Sequence, residues 1–436
     1  MSSSGHDPKL TPHVALLPSA GMGHLTPFLR LAALLTAHDV QVTFITPHPT
    51  VSLSESQSLT HLFSSFPQIT RKQLRLLPFD DLSANSEDPF YYHFEVIRRS
   101  SHLLSPLLTS LSPPLSALVT DMSLASTVIP ITDALKLPNY IFFTSSAKML
   151  TLYLSFHVMV PNEMKYFVEI SGLEPIPRSW IPPPLLQDTD NLLKMLFHRK
   201  WQENDRIKWN SVHAVGPLPP FNLEKSRPLA WLDDQPAQSV LYVSFGSRTA
   251  ISRDQIRELG DGLVRSSKSF LWVVKDKKVD KEDSSELIDL IGHDLMERII
   301  ERGFLVKNWL NQEEVLRHPA VAGFLTHCGW NSITEALWHG VPMLLWPQHG
   351  DQKINADLVE RIGVGMWAKS WGWGGEAMVV NGEEIAEKVG EMMGNGILRL
   401  RAAEVRNDAR MAVREGGSSY KRLADLIESW KRLVVE

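Results

Sequence analysis

The chain has 436 residues, 43% hydrophobic and 21% charged, with a net charge of −5, an ordinary globular composition long enough for two or three domains with full cores. No basic block favours nucleic acid or an anionic membrane, and no run has the roughly 18 continuous apolar residues of a membrane span. One cysteine cannot form an internal disulfide or build a metal site alone, and the amino terminus lacks the basic start and apolar core of a signal peptide, so a cytoplasmic protein is expected.

Short β-rich apolar runs alternate with amphipathic helical stretches, the pattern of a parallel sheet with helices on both faces. Strands are predicted at 13–19, 40–46, 73–79, 115–121 and 139–145, with helices near 25–37, 54–65, 92–111 and 123–135. From about 160 the pattern dissolves into Pro-rich and polar sequence, with one helix near 191–199. A second alternation follows, with strands at 239–247, 269–275, 303–309, 320–327 and 341–347. The charged run 275–286 reads as a solvated loop, and helices at 382–393, 397–413 and 418–433 close the chain. The fold class is α/β: two Rossmann-like doubly wound domains, the first over 1–225 and the second over 226–417. In such domains the working loops lie at the carboxyl ends of the strands, near the switch between strands 1 and 4.

The loop after the first strand, AGMGHLTPF, has two glycines before a helix with Pro27 in its first turn. Dinucleotide binding asks for a third glycine and an acidic residue ending strand two; ITPHPT supplies none, so NAD is disfavoured. His24 remains. A helix amino terminus keeps an imidazole neutral and able to accept a proton, though the same residue can cap the helix or pack on the sheet. Asp121 ends strand four, which neighbours strand one at ~5 Å, and can orient and charge-stabilise that ring. It can equally be the N-cap of the next helix. A hydrolase triad is weakly supported, because no serine sits in a G-x-S-x-G elbow.

In the second half, SFGSRTA and THCGWNSITEA occupy the matching positions. Gly329, Asn331 and Ser332 open a helix and offer amides and side-chain donors to an anion, and His327 can donate to the same group. Cys328 beside His327 suggests a thiol nucleophile, but small flanking residues make a buried, inert thiol the better reading. Ser332 and Glu335 also fit a capping box. Asp351 and Gln352 follow strand five, where they can bind hydroxyl groups; Trp309 and Gln312 follow strand three, where they can hold a planar base.

The run WLNQEEVLRHPAVAGFLTHCGWNSITEALWHGVPMLLWPQHGDQ, Trp309 to Gln352, resembles the donor-binding signature of plant UDP-sugar-dependent glycosyltransferases of family 1, and weaker similarity covers the whole chain. The resemblance implies the GT-B fold, with the two domains facing across a cleft and the last helix, 418–436, packing back on the first. It implies Trp309 stacked on uracil, Gln312 and Glu335 on the ribose, and His327, Gly329, Asn331 and Ser332 on the diphosphate. Gly23 and Ser247 join that donor set, and Trp330, Asp351 and Gln352 contact the sugar; the terminal Gln is the form associated with glucose. His24 becomes the general base and Asp121 its partner. AGMGHLTPF, EDPF (87–90), SFGSRTA and WPQHGDQ resemble the flavonoid C-glycosyltransferases more narrowly. Phe90, Tyr91, Phe94, Ser145 and His349 are then candidates for the acceptor pocket, although Asp88-Pro89-Phe90 reads equally as a turn and the aromatic residues equally as core. The family usually carries a further strand and linker where this chain passes from HRKWQENDRIKWN to VHAVGPL.

The expected activity is inverting transfer of glucose from UDP-glucose to a phloroglucinol-type phenolic, as a C-glycoside, by a monomer that needs no metal or other cofactor. O-glycosylation is the alternative; a nucleotide-sugar epimerase or a non-catalytic nucleotide-sugar binder is a distant one. A metal-dependent transferase would want D-x-D, which Asp188 and Asp190 supply only in a Pro-rich stretch where Asp190 is placed to cap a helix.

Overall fold

The computed structural model describes residues 11–78, 89–155, 166–186, 212–220, 230–275, 286–307, 310–372 and 378–435. The chain divides into two compact units: Met1–Thr144 with Asp188–Leu223 and Ala412–Glu436, and Ser145–Gln187 with Glu224–Met411.

The first unit holds β1 (His13–Leu17), β2 (Gln41–His48), β3 (Thr70–Arg75), β4 (Ala117–Asp121) and β5 (Asn139–Phe142). They form one sheet in the order β3-β2-β1-β4-β5, every pair parallel. Parallel sheets are covered on both faces, and β1 accordingly alternates between two cores. Val14 and Leu16 point to one, with Leu25, Phe28, Leu35 and, from the helix Ser418–Val435, Leu423, Ile427 and Trp430. Ala15 and Leu17 point to the other, with Leu104, Leu118 and Val128.

Two local departures from the sequence expectation have visible causes. The helix expected from 25 begins at Met22, because Gly21 takes φ +96° as its N-cap, which places Pro27 inside the helix instead of its first turn. The single helix expected over 92–111 is broken into Pro89–Arg99, a 3₁₀ turn at Ser101–Leu103 and Leu104–Thr109. Buried Ser100 sits at the break, where its Oγ accepts the Leu77 amide at 3.0 Å.

The second unit opens with the helix Ala147–Ser155 and an antiparallel ribbon of β6 (Phe167–Val168) and β7 (Ile176–Pro177). Its main sheet contains β8 (Val240–Ser244), β9 (Ser269–Val273), β10 (Gly303–Val306), β11 (Val321–Thr326), β12 (Met343–Leu345) and β13 (Gly365–Trp367). The order is β10-β9-β8-β11-β12-β13, all parallel. Thus β1/β4 and β8/β11 are equivalent switch points in the two units. β13 is a sixth strand that the sequence reading lacked.

That reading placed all residues up to about 225 in the first domain, whereas the helix Ala147–Ser155 and 166–186 group with the second unit. Lys148 pairs with the nearly buried Asp357 at 2.5 Å, Arg361 pairs with Glu174, and the rings of Trp180 and Trp367 lie 5.0 Å apart. Among the described residues no helix is long and apolar enough to cross a membrane.

Candidate active site

β1 and β4 end side by side, with Leu17 opposite Thr120, so the loop after β1 meets the carboxylate of Asp121. His24, at the third position of the helix Met22–Ala37, places Nδ1 2.9 Å from Asp121 Oδ2, and its side chain keeps about a third of its surface exposed. A carboxylate accepts, so Nδ1 carries the hydrogen and Nε2 is the nitrogen able to take a proton. The other oxygen of Asp121 accepts from Ser123 N (2.9 Å), Ser123 Oγ (2.6 Å) and Ser19 Oγ (3.1 Å). Burial alone would push this carboxyl up; the charge and hydrogen bond of His24, with both bonds from Ser123, outweigh it and hold the group below the usual range. Asp121 is therefore both an N-cap and the partner of His24, one oxygen for each.

The loop is held by a residue the sequence reading missed. Buried Glu55 accepts the Gly21 amide through Oε1 and the Val51 amide through Oε2, while its own amide bonds Ser52 Oγ. The signal was present in the sequence as a Ser52-x-x-Glu55 capping box.

In the second unit the loops after β8 and β11 lie together, since β8 and β11 pair to Ser244 and Thr326. The ring of His327 occupies the space beside two glycines. A Cβ on Gly246, whose φ is +75°, would stand 2.6 Å from its Nε2, and one on Gly329 would stand 2.5 Å from the same atom. Both loops need glycine because the imidazole lies against their backbones. Loss of water pushes His327 down to about 3, assisted by nearby His349 and opposed by a backbone bond at Ser244, so the ring is neutral at ordinary pH.

Gly329 is the N-cap of the helix Trp330–His339, which puts Trp330, Asn331 and Ser332 in its first turn. The capping-box account of Ser332 and Glu335 fails, because both lie inside the helix and are buried. Gln312, leading the helix Gln312–Arg317, joins them: its Nε2 donates to Ser332 Oγ at 3.0 Å and to Glu335 Oε2 at 2.6 Å. Tyr242 on β8 directs its hydroxyl to Gln312 Oε1 at 3.4 Å. Burial pushes the Tyr242 hydroxyl well up, so it remains a donor.

Asp351 is the N-cap of the helix Gln352–Arg361 and accepts the Ser145 hydroxyl, which joins a sugar candidate to an acceptor candidate. Buried Gln352 accepts the amides of Gln348 (2.7 Å) and His349 (2.9 Å) through Oε1, and its Nε2 lies 3.4 Å from His349 Nδ1. Exposed His349 pairs Nε2 with Thr249 Oγ1 at 3.0 Å. Cys328 is fully buried, and burial pushes its thiol well up, so it offers no thiolate. Ser247 lies in the loop expected of it, whereas exposed Gly23 is the second residue of the helix Met22–Ala37, where a Cβ would meet nothing.

Phe94 packs against the core of Leu74, Ile97 and Leu104. Phe90 and Tyr91 belong to the helix Pro89–Arg99, their side chains outside the described residues, as are Trp309, Asp88, Asp188 and Asp190. Trp371 is structural: its ring packs edge-on against Trp346 at 4.5 Å and its Nε1 donates to Glu384 at 2.8 Å. Among the described residues no three His, Cys, Asp or Glu gather as metal ligands.

Comparison with known proteins bears on this arrangement directly. A UDP-glycosyltransferase of Citrus unshiu, 708G2, is 50% identical, the match covering 96% of this chain and 97% of the relative. The chain belongs to the UDP-glycosyltransferase family. The family model for UDP-glucoronosyl and UDP-glucosyl transferases matches residues 222–372 of this glycosyltransferase, a span that contains every donor residue named above except Gly23. A UDP-glycosyltransferase of Oryza sativa subsp. indica named CGT is 44% identical over 98% of this chain and 97% of its own. Among solved structures, LpCGTa in complex with UDP matches with a TM-score of 0.84 and 41% identity, over 96% of this chain and 99% of that one. The Medicago truncatula enzyme UGT71G1 complexed with UDP-glucose matches with a TM-score of 0.80 and 27% identity, over 98% and 99%. The glycosyltransferase thus has the GT-B architecture of two Rossmann-like domains, and it resembles plant C-glycosyltransferases along its full length.

Proposed function

We propose that this glycosyltransferase moves glucose from UDP-glucose to a ring carbon of a phloroglucinol-type phenol, with inversion at the anomeric carbon. The observation that carries the reading is the His24–Asp121 pair, an imidazole whose Nδ1 is held 2.9 Å from a buried carboxylate, so that Nε2 is the nitrogen that can act as base. Support for the carbon–carbon outcome comes from the relatives named as C-glycosyltransferases.

His24 Nε2 takes the phenolic proton, and Asp121 stabilises the imidazolium that forms. The negative charge of the phenolate spreads to its ortho carbon, which attacks the anomeric carbon as the bond to the β-phosphate oxygen breaks. UDP departs with the electron pair. The resulting dienone then loses the hydrogen of that ring carbon as a proton to solvent water while the His24 imidazolium returns its proton to the oxygen, which restores both the aromatic phenol and the neutral base. The leaving charge meets the positive end of the helix Trp330–His339 and the side chains of His327, Asn331 and Ser332. Gln312 and Glu335 hold the ribose, Trp330, Asp351 and Gln352 the glucose, and no metal enters the scheme. Activity is therefore expected to persist in EDTA.

The test is incubation with UDP-glucose and phloretin, which has a trihydroxylated phloroglucinol-type ring, with mass analysis before and after hot acid. An acid-stable adduct one hexose heavier is the expected product. An adduct that hydrolyses would replace this reading by O-glycosylation, and UDP-glucose consumption without an adduct would replace transfer by epimerisation or hydrolysis.

A further inference from the structure

We propose that Asn355 is a positioning residue for the donor loop, locking the left-handed turn at Cys328 that presents His327 and the first amides of the helix Trp330–His339. The inference rests on reading that loop as the diphosphate site. Cys328 has φ +68°, a conformation that costs energy for any residue carrying a Cβ and persists only where the surroundings enforce it. The turn separates His327 from Gly329, so it sets both the ring and the start of the helix.

Three contacts enforce it. Thr326 Oγ1 accepts the Cys328 amide at 3.3 Å, the Thr326 carbonyl receives its thiol at 3.6 Å, and Asn355 Nδ2 donates to the Cys328 carbonyl at 3.2 Å. The first two are local to the loop. Of these three contacts, the one from Asn355 alone comes from outside the loop, and its orientation is unambiguous because a carbonyl can only accept. Asn355 is fully buried one turn beyond Asp351, whose carbonyl accepts its amide at 3.0 Å. One side chain thereby ties the phosphate loop to the helix that begins with the sugar candidates Asp351 and Gln352.

A second observation sets Asn355 apart from ordinary core packing. Its Oδ1 has no hydrogen-bond partner among the described residues. A half-satisfied buried amide is worse for stability than an apolar side chain of the same size, so stability alone does not account for asparagine here.

The experiment is a double-mutant cycle read by calorimetric binding of UDP, with thermal unfolding alongside. Asn355→Leu is expected to weaken UDP binding about tenfold while the melting temperature holds or rises. In a Cys328→Gly background, where the left-handed turn is free of its Cβ penalty, the same substitution should cost less than about threefold. Asn355→Ala provides the same cycle if the leucine variant does not fold. Equal losses in both backgrounds, or undiminished UDP binding by Asn355→Leu, would overturn the positioning role. Failure of the unsubstituted protein to bind UDP would overturn the donor-loop reading and the proposed function with it.

Discussion

Asp121 divides its two oxygens between different tasks: Oδ1 is fixed by Ser19 and Ser123, and Oδ2 faces His24. Asp121→Asn keeps the shape and presents an amide where the imidazole hydrogen needs an acceptor. It should lower kcat by about 10²-fold or more, with UDP affinity little changed, in steady-state kinetics paired with calorimetry. Cys328→Ser should retain most activity, since a buried thiol pushed well up takes no part in chemistry; loss comparable to that of Asp121→Asn would contradict the assignment. Between neutral pH and the carboxylate range, buried histidines shape the stability profile. His327 is lowered to about 3 and His93 to about 4, both by burial first, so the unfolded chain binds more protons than the folded one below its own value near 6.5. Their contribution is present above that value and is lost as pH falls through the window between about 6 and 4, at up to ~1.4 kcal/mol per pH unit for each group. Urea titrations across that window should show His327→Asn with a shallower slope by about one proton. His24 and Asp121 were legible as residue types at two strand ends. Tyr242 and Asn355 were not, because what they do depends on partners 70 and 27 positions away.

The helices carry constraints that single residues do not. Glu55 leads no catalytic step, yet its carboxylate ties the helix Leu53–Ser65 to the backbone that begins the His24 helix. Glu55→Ala removes the acceptor for two amides and should lower unfolding free energy by about 2–4 kcal/mol, together with a drop in kcat, as checked by urea unfolding and kinetics on the same sample. Gln in its place, keeping one acceptor oxygen, should recover part of both. The parallel strands were legible because burial on both faces leaves near-continuous apolar runs, and HVALL and VLYVS are fully buried as expected. β13 was hidden because its three residues, Gly365–Trp367, are too short to show a period. The break at Ser100 was hidden for a different reason: its cause is a hydrogen bond to Leu77, outside the helix altogether.

At the scale of the whole molecule the chain uses one plan twice, with strand orders β3-β2-β1-β4-β5 and β10-β9-β8-β11-β12-β13. The domain-sized echo in the sequence follows from that repetition. The grouping of 145–187 with the second unit was invisible because an ion pair such as Lys148–Asp357 spans 209 positions. The match to the Citrus unshiu relative runs over 465 positions, more than the 436 residues of this chain, so that relative carries residues with no counterpart here. Even so, the run from Gln312 to Gln352 follows the ends of β10, β11 and β12 in turn, a local order that a family signature can carry while the supporting contacts cannot be read from it. The account turns on His24 as the base. The decisive measurement is the rate of UDP release from UDP-glucose in the presence of phloretin, compared between the unsubstituted enzyme and His24→Ala, with UDP binding measured in parallel. A loss of about 10²–10⁴-fold in rate, at UDP affinity within about twofold, is predicted. Transfer by His24→Ala at a rate near that of the unsubstituted enzyme would contradict it.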